Sequence, residues 1–342
     1  MLISSKSLFD MDTFIPVGKS RFIHFLTIID DVLCEAATSE DPGRLIYSKD
    51  MRTPLFMLEA LSRIYKKTQA SKKIKKINDE FKDLEDFLGQ IDYYDGFYKQ
   101  FVQNKQIPEL VSLYVKDCTD KKIKEFNQHL KKEKWIGKHK KRLKKIYKKL
   151  DSIEWFDEKN DTIAILEVYQ NDIEKITKKY KNPKKEFTDI EKDVHELRRQ
   201  LRWLSIYPQA LLGLMQFKSD GEPPEFLKKY LTTEIINSPY NRLPDGSSLN
   251  NHILLNQNYY YGLSWMIAEL GKLKDSGLKM ELLEKSIAKV YKAKDNVSRL
   301  AYSICDQNQP TILQILDEAE SISKTFFEED ILEHIVVSVF IS

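Results

Sequence analysis

The sequence predicts an all-α fold made of two pseudo-symmetric antiparallel helical bundles. Three observations carry this expectation. Apolar residues recur at helical spacing along most of the 342 residues, strand-like alternation is rare, and only 11 glycines and 11 prolines interrupt the pattern. The composition, 42% hydrophobic and 31% charged, is globular, not disordered. A chain of this length holds two ordinary domains or one duplicated unit.

Taken in order, helices are expected over 18–37, 53–70, 73–90, 93–103, 106–117 and 120–150, with breaks at Asp41-Pro42-Gly43, Gly89 and Pro108. Residues 160–180 follow, and Asn182-Pro183 marks a boundary. A long helix from about 188 to 218 stops before Asp220-Gly221-Glu222-Pro223-Pro224. The Pro- and Asn-rich stretch 219–258 should hold little regular helix beyond a turn or two near 224–232. Helices resume over 255–274, 278–307 and 310–328. Dense amphipathic helices with short breaks divide into a first bundle, 18–155, and a second, 188–330, split near 155–188.

The densest chemistry lies between Val194 and Leu204. His195, Arg198, Arg199 and Arg202 fall within an arc of about 100° on one helix, while Val194, Leu197, Leu201 and Leu204 form the opposite side. The planar arginine fork matches phosphate oxygens, and adjacent arginines repel unless an anion or an acid lies between them. The plain alternative is a set of solvated charges, each balanced by a nearby carboxylate. His195 titrates near neutrality, but three neighbouring arginines depress its pKa and no carboxylate orients it from the same stripe. A structural or anion-binding histidine is therefore preferred to an acid–base catalyst.

A weaker copy of this pattern occurs earlier. Lys49-Asp50-Met51-Arg52, followed by Leu55, Leu58 and Leu61, can be laid on His195-Glu196-Leu197-Arg198, followed by Leu201 and Leu204. Downstream, Leu84 to Ile91 lies on Met266 to Leu273, so that each copy ends in Leu-Gly, where glycine suits the left-handed residue closing a helix. Arg52 and Gly89 are 37 positions apart, Arg198 and Gly271 73 apart, and the 219–258 stretch accounts for the excess as an insertion. The shared order favours duplication over coincidence. In the first copy Lys49, Arg52, Arg63 and Lys67 share a stripe with Phe56 in its middle. Pro54, capped by Thr53, would instead start the helix later and leave Lys49 and Arg52 in the preceding turn.

These motifs resemble the CHAD domain family, helical domains built from two repeated four-helix units. Members carry a His-x-x-Arg start, further basic residues at helical spacing, and a later Leu-Gly-x-x-(Arg/Asn/Lys)-Asp turn. His195, Arg198, Arg199 and Arg202 fit the helix, and Leu270-Gly271-Lys272-Leu273-Lys274-Asp275 fits the turn. The first half departs: Lys49 replaces the histidine, and Phe56, Met57 and Glu59 stand at positions often basic in the family. Asp92-Tyr93 also replaces the basic-Asp pair after Leu88-Gly89. The resemblance implies inorganic polyphosphate or a related polyanion bound in a basic cavity between the bundles, without catalysis or cofactor. The candidate residues are His195, Arg198, Arg199, Arg202, Arg52, Lys49, Arg63 and Lys274. Such binding would depend strongly on salt through counterion release.

Charge is uneven beneath the net value of +3. Residues 121–150 hold 14 Lys/Arg against Glu125 and Glu133, and 311–342 hold seven Asp/Glu against Lys324. The run Lys138 to Lys149 would extend a polyanion surface or bind nucleic acid nonspecifically, unless it is simply a solvated helix. Aromatic interleaving there is thin, which disfavours single-strand stacking.

Cys34, Cys118 and Cys305 are widely spaced, as expected of reduced thiols in a cytoplasmic protein. No stretch has the apolar length of a membrane span, and the N-terminus lacks a signal-peptide run. Metal-ligand pairs, phosphate-binding glycine loops and nucleophile elbows are missing from the sequence. Tyr93-Tyr94 and Tyr259-Tyr260-Tyr261 read as packing residues. Polyanion binding is the expected function. The alternative is a helical scaffold whose anion site has degenerated, and an enzyme of phosphate metabolism ranks last.

Overall fold

The structure, a computed structural model, describes residues 15–68, 71–137, 141–182, 185–218, 221–292, 295–305 and 309–341. The chain is mostly helical, and among the described residues its strands are three and short.

Helix α1 (Val17–Ala36) buries Phe22, Phe25, Leu26, Ile29 and Leu33, one face of a 3.6-residue repeat. A short α2 (Pro42–Ser48) is capped by Asp41, whose carboxylate accepts the Arg44 N–H, with Pro42 in the first turn. Helix α3 (Arg52–Thr68) buries Leu55, Leu58, Leu61, Ile64 and Tyr65. It starts at Arg52, not at Pro54. Its entry is organised by Asp50, which accepts the Thr53 hydroxyl at 2.8 Å, so Arg52 belongs to the helix while Lys49 ends α2.

Helix α4 (Ser71–Gln103) is one helix of 33 residues, about 50 Å long at ~1.5 Å per residue. Gly89 was expected to end a helix but lies inside this one, because its backbone stays right-handed and helical bonding continues through it. Helix α5 (Glu109–Lys132) runs through the expected break before Asp120, and α6 (Lys141–Asp151) follows. Helix α7 (Glu158–Tyr180) is capped by Asp157 and buries Ile165, Val168, Tyr169, Ile173 and Ile176.

The expected 188–218 helix is three elements. A π-helical turn (Ile190–His195) leads into α8 (Glu196–Ala210), and β1 (Met215–Lys218) follows. Leu212 and Gly213 take positive φ and end the helix. A side chain at residue 213 could not fit, since a Cβ there would lie 2.3 Å from the Asp245 carbonyl oxygen. The 225–241 stretch contributes only short turns, among them α9 (Thr233–Ile236). Strand β2 (His252–Asn256) then runs into α10 (Gln257–Tyr291), whose first N–H groups are capped by Asn256. Helix α10 passes through Gly271 and Gly277 without a break, which joins the two helices expected there.

Helices α11 (Val297–Ile304) and α12 (Ile312–Glu328) complete the helical set, α12 with a Thr311/Gln314 capping box. Strand β3 (Val336–Phe340) pairs antiparallel with β2, which pairs parallel with β1. This sheet departs from the all-α expectation. Its strands are four or five residues long, too short for their alternation to stand out from the flanking helices.

Helix α3 packs on α4, α8 packs on α10, and α3 and α8 pack on each other. Helices α1 and α7 cover this pair from behind. One hydrophobic core runs from Phe22 in α1 to Ile335 before β3, while a second cluster joins the ends of α4 and α10 to α5 and α11. Behind the core, Arg21 of α1 donates to Asp161 of α7 and to Tyr65 of α3, both at 2.6 Å and all buried. This pair ties three helices together. Its sequence signal was a lone arginine beside Phe22 on the apolar side of α1.

Candidate anion-binding cleft

A cleft of about 560 Å³ opens where α3, α4, α8 and α10 meet, bounded on its far side by the 234–241 turns. Of the eight residues predicted for the site, the structure brings three to this cleft: Arg52, Arg198 and Arg202. The other five go elsewhere, for local reasons.

Arg199, one position beyond Arg198 on α8, is exposed and paired with Glu196 at 2.5 Å. Its charge acts on Tyr180 of α7, which puts it on the other side of the helix. Lys49, at the end of α2, pairs with Glu35 at 3.1 Å. Arg63 is two helical turns beyond the cleft-lining Phe56; it stacks over the Trp203 ring at 4.5 Å and faces Glu59 at 4.0 Å. Lys274 pairs with Asp275 at 2.7 Å.

His195 is half-buried at the start of α8 and does not line the cleft. Contrary to expectation a carboxylate does orient it: Glu191, one turn earlier, contacts its Nδ1 at 2.5 Å. The two residues are four apart, the ordinary spacing of neighbours on one helical face, so this partner was present in the sequence. Burial holds the His195 pKa below its usual value, helped by Lys274 and Arg198 and opposed by Glu191.

The three cleft arginines differ in their surroundings. Arg198 lies along Gly271 of α10: a Cβ built there would stand 3.0 Å from its Nε. That Nε donates to the Ile267 carbonyl oxygen at 3.2 Å. Arg202, one turn on, lies over the Phe56 ring at 4.0 Å. Among the described residues neither guanidinium forms an ion pair with a carboxylate; Asp275, whose charge reaches Arg198, is held by Lys274. Burial lowers the pKa of both. For Arg202, with Arg198 and Arg52 adding repulsion, the value falls to about 10.

Arg52 repeats the packing of Arg198 in the first half. It lies along Gly89 of α4, where a Cβ would stand 3.1 Å from its terminal nitrogen. Its charge, however, is met. Nε donates to Glu85 at 3.0 Å and a terminal nitrogen to Asp92 at 2.7 Å, with Phe56 at 5.1 Å. Phe56 therefore lies between Arg52 and Arg202, where the pattern of the second helix has a cation.

Beyond the arginines the exposed wall is mostly apolar, with Met57, Leu88, Ile206, Ile235, Ile267 and Ala268, and polar groups such as Gln209, Ser238, Asn241 and Ser264 stand among them. Several neutral polar groups there are engaged: Ser264 donates to Asn241 at 2.5 Å, Ser205 donates to the Arg202 carbonyl oxygen at 3.0 Å, and the Gln209 amide donates to the Tyr240 and Arg242 carbonyl oxygens. The hydroxyls of Ser238 and the exposed Tyr240 also line the cleft. The sequence reading missed this wall, because Ile235 and Asn241 come from a stretch recognisable only by its lack of pattern. The two carboxylates on α4, seven residues apart, were equally hidden, since Glu85 and Asp92 meet Arg52 only across the α3–α4 interface.

The lysine-rich segment is separate from the cleft. Lys138, His139 and Lys140 lie outside the described residues. On α6, Lys141, Lys144, Lys145 and Lys148 are exposed, Leu143, Ile146 and Leu150 are buried, and Arg142 and Lys149 bind Glu133 and Glu80. Among the described residues there is no cluster of His, Cys, Asp and Glu able to hold a metal ion, and no helix long and apolar enough to cross a membrane. Comparison of the chain with protein-family models, with curated proteins and with solved structures returns no match.

Proposed function

We propose that this chain is a diverged, internally duplicated relative of the CHAD family, and that its cleft binds a phosphate-type anion without catalysis. The ligand the resemblance implies is inorganic polyphosphate or a related polyanion. One observation carries the binding reading: Arg198 and Arg202 face a common cleft with their charge unmatched by any carboxylate pair among the described residues. Half-buried like charges are costly to keep side by side, and an anion between them removes that cost.

The duplication is supported by the paired contacts of Arg52 with Gly89 and Arg198 with Gly271, each between an early helical arginine and a mid-helix glycine. The three free cysteines are in keeping with a reducing, cytoplasmic setting. A second reading, a scaffold with a degenerated site, draws support from Phe56 and from the two carboxylates on Arg52.

Titration of the protein with inorganic polyphosphate at two salt concentrations separates the readings. The binding reading expects measurable affinity at low salt that weakens as salt rises. An absence of affinity at low salt for polyphosphate and for short phosphates alike would favour the scaffold.

A further inference from the structure

We infer that the cleft takes a phosphate monoester with an apolar body, its phosphate on Arg198 and Arg202 and its body against the wall formed by Met57, Ile206, Ile235, Ile267 and Ala268. This rests on the anion-binding reading above and narrows its ligand.

The first ground is where cationic charge is available. Among the arginines that line the cleft, Arg52 is satisfied by Glu85 and Asp92, which leaves Arg198 and Arg202. Of the remaining acids of the wall, Glu234 lies 3.9 Å from Lys272, and Asp50 accepts the Thr53 hydroxyl at the exposed turn before α3, away from the α8 arginines in sequence and element. The arginine charge of the cleft that no ion pair meets thus amounts to two adjacent guanidinium groups. A phosphate monoester carries a charge of about −1.5 to −2 near neutrality and three acceptor oxygens, enough for both forks. A carboxylate would match only one. A long polyphosphate would have to run its further phosphates along the apolar wall, each desolvated without a cation to meet it.

The second ground is shape. A volume of about 560 Å³ is far more than a phosphate fills. Clefts of ~300–1,000 Å³ lined mainly by apolar side chains with a few placed polar groups are those that hold organic ligands. On the α8–α10 side Ser264 and Asn241 bond each other and Ser205 bonds its own helix, so little is left there to hydrogen-bond a hydrophilic body such as a sugar. The hydroxyls of Ser238 and Tyr240 lie apart, on the 234–241 turns. Phe56 closes the arginine end, its ring already stacked under Arg202 and available to an aromatic or aliphatic surface.

The test is a set of titrations of the full chain at low salt with orthophosphate, tripolyphosphate, phenyl phosphate, 1-naphthyl phosphate and 1-naphthoate. Naphthyl phosphate is expected to bind at least tenfold tighter than orthophosphate, a gain of about 1.4 kcal/mol. It should also bind tighter than naphthoate, with phenyl phosphate between the two phosphates. Ala268→Leu, which fills part of the wall, should cut the naphthyl-to-orthophosphate affinity ratio at least threefold. Equal affinity for all the phosphate monoesters and orthophosphate would overturn the inference without a variant being made. Tripolyphosphate binding tighter than naphthyl phosphate would also overturn it, while leaving the anion-binding reading intact. If none of the anions binds, both fall.

Discussion

Arg52 lies along Gly89 and Arg198 along Gly271, each guanidinium crossing a long helix at a residue without a side chain. From there the two regions diverge. Arg52 ends between Glu85 and Asp92, whereas Arg198 has a backbone carbonyl for a partner and Arg202 for a neighbour. The same packing device serves structure in the first half and leaves charge open in the second. Counting basic residues on a stripe therefore overstates a binding site; what matters is which of them lacks a carboxylate after packing.

The glycines offer the strongest way to break this comparison. In Gly271→Ala the new methyl must displace Arg198 at its Nε, 3.0 Å away, near the stiff end of the guanidinium plane. Affinity for tripolyphosphate is expected to fall about tenfold, or ~1.4 kcal/mol. In Gly89→Ala only the tip of Arg52 must give way, and affinity should change by less than about twofold. Equal losses in parallel titrations would show that the halves contribute alike.

Removing the acids sharpens it from the other side. Glu85→Gln combined with Asp92→Asn frees Arg52 and adds a third open cation to the cleft. Tripolyphosphate affinity should rise about threefold to fivefold, and its salt dependence should steepen. An unchanged affinity, with the fold intact by circular dichroism, would mean that Arg52 lies out of the anion's reach.

Much of this arrangement was legible in the sequence, and the parts that were not share a cause. Helices α1, α3, α7 and α12 fall where their apolar spacing put them, because each buries one continuous face. Gly89 and Gly271 read as helix ends in the sequence, and the expected helices leave a gap between 274 and 278, since a sequence does not reveal that a glycine stays helical to admit an arginine or, at Gly277, to lie against Ile190. Arg198 and Arg202 were identified from their own helix. Arg199 was grouped with them by an arc too wide to resolve which arginine faces a neighbouring helix. The neutralising acids depend on tertiary packing of α3 on α4, which spacing along one helix does not reveal, whereas Glu191, four residues before His195, was legible although the sequence reading missed it.

The entries to the two helices also differ, and this gives the smallest predicted effect. Helix α3 begins with an exposed Asp50–Thr53 contact, whereas the turn before α8 is held by the buried Asp193. Burial alone would raise the Asp193 pKa, but Lys185 Nζ at 2.5 Å and the N–H groups of Thr188 and Asp189 outweigh it and hold the carboxyl below its usual value. A depressed carboxyl binds fewer protons when folded than when unfolded. Its contribution is therefore complete above the ordinary carboxylate range and is lost as pH falls through the folded value. Asp193→Asn should lower stability near neutrality by about 1–2 kcal/mol in urea unfolding and flatten the acid limb of the stability curve. Asp50→Asn, at an exposed contact, should lower stability by less than about 0.5 kcal/mol. If the acid limb keeps its slope in Asp193→Asn, the carboxylate is not what holds the turn.

The central claim is that the open charge resides in Arg198 and Arg202 and not in Arg52. It is tested most directly by calorimetric titration of tripolyphosphate, at one low and one moderate salt concentration, into the unmodified protein, Arg198→Ala/Arg202→Ala, and Arg52→Ala. The account predicts salt-sensitive binding that weakens by about a hundredfold or more, ~2.7 kcal/mol, in the double variant and by less than about fivefold in Arg52→Ala. Equal affinity in the unmodified protein and the folded double variant, or a greater loss in Arg52→Ala, would contradict it.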